Sequence, residues 1–359
     1  MSRFLASRFQ SLNRYVPGEQ PTGADYIKLN TNESPYPPAP AVIAALTKAE
    51  LDRTNLYPDP DGAELRKKLA GHYGVGLENI IIGNGSDELL AFSFLAFCTG
   101  ARGVAFPDIT YGFYPVYAKL YDINADIIPL RDDFTIDLSD YVGRNKNIIL
   151  ANPNAPTGIT LSLSDIEMIV TGNPDHVVLI DEAYVDFGTE SAVDLTHKYD
   201  NLLVMHTYSK SRSLAGARLA YAIGSAPIID DLYRMKDSFN SYNVSRMTQL
   251  MGIAAIIDDA YYIEKRRQII DTRDYTVSML RDLGFSMTDS HANFLFVKHS
   301  IMSGKELYTA LKEHGLLVRH WDSPRISDYL RITIGTQEQM EALGDALRNI
   351  LKTQGHLTD

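Results

Sequence analysis

Between about residues 40 and 225 the chain alternates two hydrophobic patterns. One consists of short runs that are apolar nearly throughout, at 79–82, 104–106, 127–130, 148–150, 177–180 and 202–205. Runs without polar alternation suit strands buried on both faces. The other consists of helix-length segments between them, among them 39–51, 62–72 and 86–97. Strand and helix in alternation predict crossover connections and a mostly parallel sheet. After about residue 225 the pattern changes. Helices are expected at 227–236 and 244–258, and a long charged helix from 261 to about 283. Short strands follow at 294–297 and 330–334, with helices at 303–314 and 336–353. The expected fold is α/β, a large domain with a mostly parallel sheet flanked by helices plus a smaller α+β domain. The expected division is an N-terminal arm over 1–27, a large domain over 28–240 and a small C-terminal domain over 241–359, joined by part of the N-terminal segment.

Composition narrows the function. The chain has 359 residues, 45% apolar and 22% charged, which excludes disorder as a reading of the whole. Lys and Arg number 34 against 45 Asp and Glu, a net charge of −11. An acidic surface repels phosphate backbones and anionic lipid, so neither nucleic acid nor a membrane is an expected partner. No apolar stretch approaches the ~20 residues of a membrane span. The single cysteine, Cys98, lies in an apolar run and reads as a buried thiol. With no signal-peptide core in the first residues, a cytoplasmic location is expected.

In an open parallel sheet, ligands bind beyond the carboxyl ends of the strands, so the residues just after each apolar run are the informative ones. Gly83-Asn84-Gly85-Ser86-Asp87-Glu88 stands between a strand and a helix. It reads either as a phosphate cradle at a helix start or as a tight, well-capped turn. Asp181-Glu182-Ala183-Tyr184 follows 177–180. A carboxylate there needs a partner, whether a structural cation or the ring nitrogen of a ligand. Nearby His and Cys spacing supports no metal site. Ser209-Lys210 follows the strand at 202–205, with Arg218 eight residues on. Lys210 reads either as an amine prepared for imine chemistry or as part of a solvated basic loop. Pyridoxal 5'-phosphate needs all three features: donors for its phosphate, an anion for its pyridine nitrogen and an amine for its aldehyde.

The sequence resembles the fold-type I, pyridoxal-phosphate-dependent aminotransferases, and most resembles the histidinol-phosphate aminotransferases. The segments that carry the resemblance are 29–35 (Leu-Asn-Thr-Asn-Glu-Ser-Pro), 57–60 (Tyr-Pro-Asp-Pro), 152–158 (Asn-Pro-Asn-Ala-Pro-Thr-Gly), 181–184 (Asp-Glu-Ala-Tyr) and Ser209-Lys210, in that order. The resemblance implies that Lys210 holds the cofactor as an imine and shuttles the substrate proton, that Asp181 pairs with the pyridinium nitrogen, and that Tyr184 donates toward the ring hydroxyl. It implies that Tyr111 stacks on the ring. Ser209, Arg218 and the amides of Gly85 and Ser86 would hold the phosphate, with Asp87 beside them. Tyr57 would reach the phosphate of a neighbouring subunit, which makes a homodimer the catalytic unit.

One departure stands out. The family pattern has asparagine immediately before Pro-Thr-Gly, where its amide bonds the ring hydroxyl; here that residue is Ala155, preceded by Asn154. Either Asn154 takes over through a changed backbone path, or Tyr184 serves alone. For substrate, Arg331 matches the family's carboxylate-binding arginine. Arg319, Tyr15 in the arm and Asn293 are further candidates. Arginines offer forked donors to carboxylate and phosphate alike. The expected reaction is transamination of L-histidinol phosphate with 2-oxoglutarate in histidine biosynthesis. The alternatives are an aromatic amino-acid aminotransferase and a threonine-phosphate decarboxylase on the same scaffold. A non-catalytic regulator would need an added DNA-binding domain, for which the two expected domains leave no room.

Overall fold

Seven strands build the larger sheet, and six of them are buried on both faces because their side chains are mostly apolar. The computed structural model describes residues 2–10, 12, 18–20 and 26–353. After a two-residue strand β1 (Ile27–Lys28) come β2 (Ile80–Gly83), β3 (Val104–Pro107), β4 (Ala125–Ile128), β5 (Asn147–Ala151), β6 (Val178–Asp181), β7 (Leu202–Thr207) and β8 (Ala220–Gly224). Their order across the sheet is β2-β8-β7-β6-β5-β3-β4. From β4 to β7 the neighbours are parallel, and β8 runs antiparallel to both β7 and β2. All residues of β2, β3, β5, β6, β7 and β8 are buried, whereas edge strand β4 is half-buried. Leu150, in β5, is fully buried in the core on one face of the sheet. Leu150→Ala is expected to cost about 2–5 kcal/mol by leaving a cavity. The check is a lower urea midpoint at unchanged slope.

The smaller sheet is antiparallel and has the order β12-β13-β10-β9, formed by β9 (Phe285–Met287), β10 (Phe294–His299), β12 (Arg319–His320) and β13 (Leu330–Thr333). The intervening β11 (Leu316–Leu317) pairs in parallel with β1, so residues 27–28 join the chain's C-terminal part. The α/β class with a large, mostly parallel sheet and a smaller α+β unit therefore holds. The segment after residue 240 contributes to both cores. Val244, Ala255, Ile256 and Tyr262 pack in the core of the large sheet. The 24-residue helix Asp259–Asp282 begins there and ends with Met279 and Leu280 in the small core.

Two local expectations also change. The helix expected over 39–51 is split into Pro40–Ala44 and Lys48–Leu51. The side chain of Thr47 accepts the Glu50 N–H and caps a new start, which a continuous helix would forbid. Strand β8 was not expected, because Ala220, Ala222 and Gly224 dilute its apolar signal.

Candidate active site

The carboxyl ends of β5, β6 and β7 open onto one cavity of about 310 Å³. Lys210, Asp181, Tyr184, Tyr111, Ser209, Ser86, Asp87 and Arg218 all line it. Residues more than 120 positions apart thus meet because parallel strands end on the same side.

Asp181 is the last residue of β6 and is 4% exposed. Tyr114 donates its hydroxyl to Asp181 Oδ2 at 3.0 Å, and the Ala183 N–H donates to Oδ1 at 3.2 Å. Burial pushes the carboxyl up to about 6, against those two hydrogen bonds. Burial, then the charge of Asp181, holds the Tyr114 phenol well above its ordinary range, so it remains a donor. The adjacent Glu182 is committed elsewhere. It accepts from Ser191 Oγ at 2.5 Å and the Ala192 N–H at 2.7 Å, and pairs with His206 Nε2 at 3.1 Å.

Lys210 Nζ lies 5.7 Å from the Tyr184 ring centroid and donates to Thr31 O at 3.3 Å. Opposite, the turn Gly83-Asn84-Gly85 leads into the helix Ser86–Phe97. Gly85 has φ +81°, and a Cβ there would lie 2.5 Å from Arg218 Nη2. Only glycine admits this approach of guanidinium to turn. Asp87 ties the two walls together, accepting from Arg218 Nη2 at 3.1 Å and from the Tyr111 hydroxyl at 2.7 Å. Ser209 Oγ accepts from Thr207 Oγ1 at 3.0 Å.

These residues fit pyridoxal phosphate on the structure's own terms. A buried carboxylate with a raised pKa calls for a cation. The glycine turn, helix start and Arg218 form an anion cradle, and Lys210 stands between them. Among the described residues no three His, Cys, Asp or Glu side chains come together to hold a metal. No described helix is long and apolar enough to cross a membrane.

Other expected site residues lie elsewhere. Asn154 is 6% exposed and withdrawn from the cavity. Its amide donates to Ile109 O and Thr157 Oγ1 and accepts from Thr110 Oγ1, so it braces its own loop. Ala155 lines the cavity instead, and Asn154 does not take over the missing amide. Asn293 is fully buried and donates to Asn32 O at 3.2 Å, which makes it a support for the 30–35 loop rather than a group facing the cavity. Arg319 and Arg331 face each other in the register of β12 and β13, each over the Trp321 ring. Arg331 Nη2 also donates to Asn30 O at 2.9 Å, next to Thr31 and Glu33 of the cavity wall. Tyr57 is 77% exposed, stacked on Tyr242 with centroids 4.6 Å apart and turned out of the cavity. Tyr15 lies outside the described residues. The reading from sequence missed Tyr114, Thr31, Glu33, Thr207 and Asn32. Of these, Thr31, Asn32 and Glu33 stood inside a segment already singled out.

A family model for aminotransferase class I and II matches residues 24–347. The chain is 49% identical over 353 residues to a histidinol-phosphate aminotransferase of Brachyspira hyodysenteriae, covering 98% of this chain and 100% of that one. It is 50% identical over 353 residues to a histidinol-phosphate aminotransferase of a Marinomonas species, with the same coverage. In fold it is similar to the crystal structure of histidinol-phosphate aminotransferase from Sinorhizobium meliloti in complex with pyridoxal-5'-phosphate. The TM-score is 0.86 at 23% identity, over 99% of each chain. The cavity's chemistry and its relatives agree, and the chain belongs to the class I and II aminotransferases, among the histidinol-phosphate aminotransferases.

Proposed function

We propose that this protein is a pyridoxal-phosphate-dependent aminotransferase that moves the amino group of L-histidinol phosphate to 2-oxoglutarate in histidine biosynthesis. The observation that carries the reading is the meeting of Lys210, Asp181 and the Gly85–Arg218 cradle in one cavity. Relatives named for that activity, at about half identity over nearly the whole chain, support the substrate.

When bound, pyridoxal phosphate supplies an aldehyde that condenses with amines and a pyridinium ring that draws electrons from the substrate's Cα. The chain's own residues do the rest. Arg218, Ser209 and the amides at Gly85 and Ser86 would hold the phosphate. Asp181 would keep a proton on the ring nitrogen, and that cation would in turn relieve the cost of a buried carboxylate. Tyr111 would cover the ring and Tyr184 would donate to its oxygen, both from the cavity wall. Lys210 Nζ, on the cavity wall, would serve as the base that takes the proton from the substrate carbon and holds it within the same pocket. Arg319 and Arg331 present two forked donors, which suits a pocket that must hold a phosphate in one half-reaction and carboxylates in the other.

The working unit in this reading is a homodimer. Tyr57 is turned away from its own cavity, consistent with service to the phosphate of a second copy. A reducing cytoplasm suits the one buried thiol, Cys98, whose pKa burial raises to about 12.

The test is an absorbance titration of the cofactor-loaded protein with L-histidinol phosphate in the absence of a keto acid. The expected result is loss of the visible band to a near-ultraviolet form, reversed by 2-oxoglutarate. A band that histidinol phosphate leaves unchanged, but an aromatic amino acid or threonine phosphate converts, would overturn the substrate. Gly85→Ala tests the cradle. The added methyl group drives Arg218 away and strains a left-handed residue, so cofactor affinity is expected to fall about tenfold or more. Equilibrium dialysis against pyridoxal phosphate checks it.

A further inference from the structure

The position that carries an amide in the family pattern is Ala155 here, and it faces the cavity. The question is what compensates. Asn154 does not, since its amide is spent on Ile109 O and Thr157 Oγ1. A different amide touches the other group expected at the ring hydroxyl, Tyr184. Asn32 is 1% exposed, and its Nδ2 donates to the Tyr184 hydroxyl at 2.9 Å.

The direction of that bond follows from the orientation of the Asn32 amide. Thr333 Oγ1 accepts the backbone N–H of Asn32 at 3.0 Å and donates its own proton to Asn32 Oδ1 at 3.1 Å. Oδ1 is therefore the acceptor end, and Nδ2, which can only donate, is the end at Tyr184. Asn293 holds the same residue by donating to Asn32 O. The backbone of Asn32 is left-handed, with φ +56°, a conformation that asparagine tolerates better than most residues. A tyrosine hydroxyl that accepts from Asn32 keeps its own proton to give away, and Tyr184 lines the cavity.

We propose that Asn32 is a positioning residue that makes Tyr184 a one-way donor into the pocket, so that Tyr184 alone serves the ring oxygen that two donors serve in the family pattern. The proposal rests on the aminotransferase reading above. Asn32 acts through Tyr184. Its expected signature is therefore the protonation behaviour of the bound cofactor. A donor at the ring oxygen stabilises that oxygen as an anion. Without the donor, the nitrogen that joins Lys210 to the cofactor keeps its proton to higher pH.

The experiment follows the visible band of cofactor-loaded protein against pH. Asn32→Asp is nearly isosteric but presents only acceptors, so Tyr184 turns its proton toward residue 32. The midpoint is expected to rise by about one unit, the scale of one hydrogen bond to a charged group. Tyr184→Phe is expected to raise it at least as far, and Asn32→Asp added to Tyr184→Phe is expected to add nothing. That non-additivity separates the proposal from direct repulsion by a new carboxylate, which would persist without the hydroxyl. The other charged groups facing the site, Lys210, Asp181, Asp87, Arg218 and Glu33, are the same in every variant. Ala155→Asn combined with Asn32→Asp is expected to bring the midpoint back toward wild type. If Asn32→Asp fails to fold, Thr333→Val frees the Asn32 amide to turn and is expected to raise the midpoint in the same sense. A midpoint unmoved in the folded variant, or shifts of Asn32→Asp and Tyr184→Phe that add in full, would overturn the proposal while leaving the aminotransferase reading intact. Wild-type protein with no visible band after addition of pyridoxal phosphate would overturn both.

Discussion

Lys210→Ala protein is expected to lose turnover by about 10⁴-fold or more, and to lose the visible band of cofactor joined to the chain. Two functions disappear at once, the amine that holds the cofactor aldehyde and the base that moves the substrate proton. A lysine in a solvated loop would predict no change at all. The fold is expected to survive, because the interactions lost are a 3.3 Å hydrogen bond to Thr31 O and a 5.7 Å approach to the Tyr184 ring. Far-ultraviolet circular dichroism and the urea midpoint check that. The cradle is untouched, so pyridoxal phosphate is expected to bind the variant reversibly. A small amine such as methylamine, added to the emptied space, is expected to restore part of the rate. Wild-type turnover by Lys210→Ala would end the assignment.

Strand-end logic located Asp181, Lys210 and the Gly85-Ser86 turn because each is a local event. An apolar run stops, and a residue of unlike chemistry follows it. The same logic failed where function depends on contacts across the chain. Asn32 and Thr333 are 301 positions apart, and nothing near either announces the other. Tyr114 sits in an aromatic cluster with Phe94, Phe106 and Tyr111, so its pattern reads as core. Its hydroxyl alone makes it a partner of Asp181. Asn154 and Ala155 show the limit most plainly. They are neighbours in one loop, yet one side chain turns inward to brace the loop and the other faces the cavity, and the motif does not tell which. Strand β8 escaped notice because Ala220, Ala222 and Gly224 leave too weak an apolar run to stand out.

Asp181→Asn is expected to weaken the enzyme and strengthen the fold. In the cofactor-free protein burial raises the Asp181 carboxyl from the ordinary 3.8 to about 6. Between those values the folded chain holds a proton that the unfolded chain has released. Folding stability therefore falls as pH rises through this window and levels off above it. The shift corresponds to about 3 kcal/mol for a fully buried group. Asparagine carries no charge to bury. The cofactor-free variant is thus expected to gain up to about 3 kcal/mol over wild type at pH 8, and little or nothing near pH 4, read from urea midpoints at the two values. With cofactor bound, the order reverses. Wild-type Asp181 gains the ring cation as its partner, while the variant has no anion to keep that nitrogen protonated. Turnover is expected to fall about 10²–10³-fold, the scale of one preorganised electrostatic contact in a buried site. A carboxylate held for structure alone would behave oppositely, with a less stable fold at pH 8 and an unchanged rate. The raised pKa and the Tyr114 hydrogen bond describe a buried charge kept in place at a cost to the cofactor-free fold. That cost has a physical reason only if a cation arrives to meet it.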